Sequence, residues 1–145
     1  MPLLQCHSVG HSVGTRQLFN ALSFSINEGS KVGLVGHNGA GKSTLLSIMS
    51  GVLESDEGDI SRSHQLQLET VEQFLPAELL HQQLLDCLLD KIAADDRDFS
   101  LYKAEKLLDT MGFSVSELGY RVGDLSGGQQ NRLMFARAVI SEPNL

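Results

Sequence analysis

The chain has 145 residues, with 11 lysines and arginines against 18 aspartates and glutamates, a formal charge of −7. That length is enough to bury a real core, and 41% apolar with 20% charged residues excludes a disordered chain. The acidic balance excludes wholesale coating of nucleic acid or anionic membrane. No run of 18 apolar residues occurs, and the opening Met-Pro-Leu-Leu-Gln-Cys-His lacks a basic stretch followed by an apolar one, so neither a membrane span nor a signal peptide is expected.

In the first 28 residues, Leu18-Phe19 and Leu22-x-Phe24-x-Ile26 have the period-2 pattern of a half-buried antiparallel pair, and Glu28-Gly29 is a turn. Lys31-Val32-Gly33-Leu34-Val35 reads as a short strand buried on both faces. A glycine-rich loop follows, and Ser43 to Ser50 has helical spacing, stopped by Gly51. Glu54 to Asp59 reads as a solvated acidic turn, and Ile60 to Phe74 as strand-like, alternating at Leu66 and Leu68. From Pro76 the pattern turns helical, with Leu80, Leu84, Leu88 and Ile92 one turn apart. Asp95-Asp96-Arg97-Asp98 interrupts it. A second helix is expected from about Tyr102 to Met111, closed by Gly112, and a last one from Gly127 through Ile140, ended by Pro143. Cys6 and Cys87 lie far apart and read as buried free thiols of a reducing compartment. The five histidines show no ligand spacing, so a metal cluster built from side chains is not expected.

Gly36-His37-Asn38-Gly39-Ala40-Gly41-Lys42-Ser43 has the spacing of a phosphate-binding loop, between an expected strand and an expected helix. Backbone N–H groups must turn inward around a di- or triphosphate, so glycines supply the unusual angles and allow close approach. The helix from about Lys42 adds its positive end. Lys42 is placed to reach the β- and γ-phosphates, Ser43 to put its hydroxyl on Mg²⁺, and Thr44 to back up the α-phosphate side. A chance match in a chain this long is about one in two hundred from residue frequencies. A second motif, Leu125-Ser126-Gly127-Gly128-Gln129, precedes the last helix; taken alone it is an N-cap and a flexible turn.

Together the two motifs resemble the nucleotide-binding domain of the ABC ATPase superfamily, in which Leu-Ser-Gly-Gly-Gln is the signature sequence. The resemblance runs from the N-terminal strands through Asn144. It implies an α/β P-loop ATPase fold: a partly parallel core sheet carrying the loop, an antiparallel β subdomain and a helical insert. The implied parts are a β-rich phosphate-loop portion at about 1–75, the insert at about 76–123, and the signature with its helix at 124–145. ATP and Mg²⁺ are the implied cofactors. Residues 36–44 would bind the nucleotide, while Ser126, Gly127 and Gly128 would act in trans on ATP held by a second ABC domain. That domain, in the same chain or a homodimer, would close head to tail around two nucleotides. Gln73, in Val71-Glu72-Gln73-Phe74, matches the Q-loop and would touch Mg²⁺ and the attacking water.

Three departures bear on function. The family continues past the Ser141-Glu142-Pro143-Asn144-Leu145 region into a strand bearing the Walker B Asp-Glu pair; without it, the residues present imply a domain whose C-terminal part is missing, deficient in hydrolysis and exposing an edge that should be buried. Val13 stands where the family usually stacks an aromatic on adenine. Only 52 residues (74 to 125) separate the Q-loop from the signature. The wording Lys31 to Gly39 and Gln129-Gln130-Asn131-Arg132-Leu133 looks most like the ABC-F type, a soluble, duplicated, cytoplasmic ATPase that commonly acts on the ribosome. The short insert and acidic charge stand against the ABC-F type, and the alternatives are the ATP-binding subunit of a membrane transporter at the cytoplasmic face of the membrane, or a non-hydrolysing nucleotide-binding module.

Overall fold

The computed structural model describes residues 2–72, 74–92 and 97–145. It forms two compact units, residues 1–68 with 144–145, and residues 69–143.

In the first unit the alternating residues of the N-terminal region form a long hairpin. Strand β1 (Pro2–Val13) pairs antiparallel with β2 (Arg16–Asn27), setting Leu4 opposite Ile26 and Cys6 opposite Phe24. Strand β3 (Glu57–Arg62) lies on the other side of β1, also antiparallel, giving the order β2-β1-β3. The expected solvated turn at 54–59 is therefore half strand, and its tip is tied down: the Asp56 carboxylate accepts from the Ser12 N–H at 2.7 Å. Helix α1 (Lys42–Ser50) follows the glycine loop and buries Leu45, Ile48 and Met49 among Leu4, Cys6, Val9 and Ile26. Gly51, at φ +84°, closes α1 by donating to the Ile48 carbonyl at 3.1 Å. Arg62 of β3 caps the same end, with Nη2 donating to Ile48 O at 3.0 Å.

Among the described residues one expected strand does not form, and the stretch expected from Ile60 to Phe74 is strand only as far as Arg62. Residues 31–35 join no ladder and are exposed, Val32 at 64% and Val35 at 92%. A strand buried on both faces needs neighbours on both edges, and the three strands present pair only with one another. Consequently the sheet here is wholly antiparallel, without a parallel portion under the loop. Beyond β3, residues 64–68 also lack a ladder. Their backbone bonds to Ser63, whose carbonyl accepts from the Leu66 N–H at 3.0 Å, and to the end of the chain: Asn144 Oδ1 accepts from Gln67 N–H at 2.9 Å, and Gln67 O accepts from the Asn144 N–H at 2.9 Å. Leu66 and Leu68 still pack against the first core.

The second unit is helical. Helix α2 (Leu84–Leu89), α3 (Arg97–Thr110) and α4 (Gly127–Val139) enclose Leu84, Leu88, Leu108, Val122, Leu133 and Ile140. The periodic leucines from Leu80 to Ile92 predict a longer first helix than forms. The carbonyls of Leu80 and Gln82, which a helix would spend internally, accept instead from the N–H groups of Gly123 and Val122, both at 3.0 Å. The Leu84 N–H in turn donates to Tyr120 O at 2.9 Å. Helix α3 starts five residues before the expected Tyr102, and Gly112, at φ +81°, ends its C-terminal turn. Both cysteines are buried free thiols, and burial raises the pKa of each. Lys91 pairs with Glu69 at 3.2 Å and Lys103 with Glu142 at 2.7 Å.

Candidate nucleotide site

The glycine loop passes from exposed backbone at Gly36 to Gly39 through half-buried Ala40 and Gly41 directly into α1. Gly39 (φ +80°) and Gly41 (φ +94°) occupy angles that L side chains rarely adopt. Gly41 is constrained twice, because a Cβ there would stand 3.1 Å from Leu18 Cβ and 3.3 Å from the Phe19 ring. The loop is drawn into a turn by the Ala40 N–H donating to His37 O at 3.2 Å. Lys42 Nζ folds back across it, donating to Gly36 O at 2.8 Å and His37 O at 3.0 Å. An ammonium held by two carbonyls of the loop it guards is positioned to exchange them for phosphate oxygens. No side chain caps α1, and its first turn carries no acid, so its positive N-terminal end is not offset. Ser43 is exposed in that turn, with Thr44 half-buried beside it. The cradle thus fits a polyphosphate. Ser43 offers the one hydroxyl donor that a nucleotide-bound Mg²⁺ requires of this loop. Gln73, expected as the Q-loop residue, lies outside the described residues.

Leu125 is buried, and Ser126 caps α4 with extended backbone angles. Its N–H and hydroxyl both donate to Gln129 Oε1 at 2.9 Å, while the Gln129 N–H donates back to Ser126 Oγ at 3.4 Å, a reciprocal capping box. Gln129 is anchored further, its Nε2 donating to Glu117 Oε1 at 2.7 Å. Glu117 accepts from the Ser114 N–H and hydroxyl, both at 2.7 Å. The Ser114 N–H first, then its hydroxyl and the Gln129 amide, hold the Glu117 carboxyl below the usual glutamate range. Gly127 and Gly128 are different from Gly41: a Cβ at either would meet nothing within 4 Å. Their bareness is not required by the packing of this chain.

Three residues beyond the motif positions also shape these sites. Arg16, at the β1–β2 turn, donates from Nη2 to Gly39 O at 3.2 Å. Arg62 fixes the far end of α1, and Glu117 braces the signature glutamine. Arg16 and Arg62 lie in no motif, so only distant pairing could have revealed them, whereas Glu117 belongs to a Ser114-x-x-Glu117 capping box that closes locally.

Residues 19–145 match the family model described as ABC transporter. The chain is 34% identical over 94% of its length to the energy-dependent translational throttle protein EttA of Escherichia coli K12, spanning 25% of that protein. It is 28% identical over its whole length to the zinc import ATP-binding protein ZnuC of Buchnera aphidicola, spanning 59% of it. A solved structure of an inward-facing metal-chelate type ABC transporter superposes with a TM-score of 0.79 at 26% identity, over 97% of this chain and 56% of that one. No helix among the described residues is long and apolar enough to cross a membrane. With the phosphate loop, the capped signature helix and the family match in agreement, the chain belongs to the ABC transporter family as an ATP-binding domain of P-loop, α/β fold.

Proposed function

We propose that this domain binds MgATP at residues 36–44 and presents Leu125 to Gln129 to the ATP of a second ABC domain. Binding then drives the two domains to close head to tail, and hydrolysis in the whole protein releases them. The observation that carries the reading is Lys42 clasped to Gly36 O and His37 O at the mouth of an uncapped helix. Ser43 and Gln73 would contact Mg²⁺, and Gln73 the attacking water. The open space over Gly127 and Gly128 supports the action in trans, since a phosphate needs bare backbone there and the chain itself does not.

Of the family's types we favour ABC-F, a duplicated cytoplasmic ATPase acting on the ribosome. The wording around the loop and signature supports this, as does the 34% identity to a translational throttle protein. The transporter-subunit reading rests on the likeness to a zinc import protein over the whole chain.

Calorimetric titration of Lys42→Ala with MgATP tests the site: binding is expected to vanish, and unchanged affinity refutes the assignment. Co-sedimentation of the whole protein with ribosomes in the presence of ATP tests the type. Co-purification with a multi-span membrane protein instead would decide for a transporter.

A further inference from the structure

We propose that Arg16 is a second cation of the nucleotide site, acting on the phosphate chain, and that the site selects nucleoside triphosphates by their phosphates rather than their base. This rests on the phosphate-loop reading above. Arg16 pairs with Val13 across the hairpin turn at Gly14–Thr15, and this turn carries it to the loop. Its Nη2 donates to Gly39 O at 3.2 Å, and Nη1 would stand 4.0 Å from a Cβ built on Gly39. The loop carbonyls that have cationic partners thus divide between two side chains, Gly36 and His37 on Lys42 and Gly39 on Arg16. A trans peptide points its C=O and the next N–H in opposite directions. Pinning Gly39 O from the hairpin side therefore fixes which way the Ala40 N–H faces, and that N–H donates to His37 O at 3.2 Å, closing the loop. A guanidinium carries five donors in a rigid fork. One donor on Gly39 O leaves others for an anion in the cradle, where each bond is charge-assisted.

At Val13, the position where the resemblance implies a stacking aromatic, the hairpin offers a base much less. Val13, 59% exposed at the hairpin tip, has no π face and no hydrogen-bonding atom with which to read a purine edge. Residues 12–17 (Ser-Val-Gly-Thr-Arg-Gln) contain no aromatic. The same turn that carries Arg16 to the phosphate loop thus leaves the base without a stacking partner, and affinity shifts toward the phosphate chain.

The test is calorimetry of the protein with MgATP, MgGTP and magnesium tripolyphosphate, comparing wild type with Arg16→Gln and Arg16→Lys. Arg16→Gln is expected to weaken all three by the same factor, about fivefold, the effect of one unit charge a few ångströms away in water. Arg16→Lys should lose less, the salt dependence should flatten in Arg16→Gln, and wild-type affinities for ATP and GTP should agree within about threefold. Loss of ATP affinity without loss of tripolyphosphate affinity would assign Arg16 to the base and overturn the proposal. So would equal binding by wild type and Arg16→Gln, or a preference for ATP over GTP of about tenfold or more. If Arg16→Gln melts early, Arg16→Lys decides, because it keeps the charge and loses the fork: affinity and salt slope near wild type support the charge, and a loss matching Arg16→Gln refutes it. Should wild type and Lys42→Ala bind the three ligands alike, the phosphate-loop reading itself falls.

Discussion

Gly41→Ala and Gly127→Ala add the same methyl group to two glycines that begin helices, yet they should act in opposite ways. At Gly41 the backbone sits at φ +94°, ψ 15°, where an alanine costs about 1–2 kcal/mol in backbone strain. The new Cβ would also press to 3.1 Å from Leu18 Cβ and 3.3 Å from two atoms of the Phe19 ring. Phe19 is half-buried against the first core, so relief requires moving packed atoms, and overpacking of this kind costs about 1–3 kcal/mol. The sum, about 2–5 kcal/mol, is a large share of the stability of a small domain. At Gly127 the backbone is helical and a Cβ meets open space, so alanine should stabilise α4 by about 0.5–1 kcal/mol. Urea unfolding of the two variants beside wild type, followed by circular dichroism, reads both effects. MgATP affinity should fall in Gly41→Ala and hold in Gly127→Ala. The function of Gly127 would show only in the whole protein, as a loss of ATP turnover without loss of ATP binding. A Gly41→Ala variant as stable as wild type would refute the packing argument. A Gly127→Ala protein with full turnover would refute the claim that its bareness serves a partner's phosphate.

Other perturbations follow from the same contacts. Arg62→Ala removes the guanidinium from the Ile48 and Met49 carbonyls at the end of α1. It should cost about 1–2 kcal/mol in urea unfolding, and a variant as stable as wild type would refute the capping role. Glu117 titrates below its ordinary range in the folded chain, so its contribution is present above the unfolded glutamate pKa and fades as pH falls through the folded one. Glu117→Gln should therefore be less stable than wild type at neutral pH, and the two melting curves should converge in acid; a gap independent of pH would sink this assignment. Ser126→Arg in the whole protein should leave MgATP binding to the phosphate loop intact while stopping hydrolysis. Lost binding in that variant would mean that Ser126 acts structurally.

The parts of this molecule legible in the sequence are those whose contacts close over a few residues. The phosphate loop needs Gly39 and Gly41 for their angles, Lys42 for its reach back to residues 36 and 37, and α1 for its start, all within ten residues. Ser126 and Gln129 close a capping box three residues apart. Less legible is structure that depends on a partner elsewhere in the chain. Val32, Leu34 and Val35 have the composition of a central strand, but composition supplies no partner, and the ladders of the β2-β1-β3 sheet run only between those three strands. The leucines at 80, 84 and 88 fit a 3.6-residue period equally well as a helix or as a turn followed by a short helix. The choice is made by Val122 and Gly123, some forty residues on, which claim the carbonyls of Gln82 and Leu80.

The same rule explains why Arg16 is silent in the motif and prominent in the structure. Its bond to Gly39 O spans 23 residues and belongs to no local pattern, yet it joins the hairpin tip to the loop that grips phosphate. A site of this kind has two layers. The inner one, a ring of backbone amides with one lysine, is fixed by local geometry and is recognisable in any chain that carries it. The outer one, made of whatever the neighbouring hairpin brings, sets which part of the nucleotide contributes most affinity. Here that hairpin brings an arginine to Gly39 O and presents an exposed valine, Val13, at its tip. The difference between this cassette and others of its family should therefore appear first in its tolerance of the base, before any change in its hold on the phosphates.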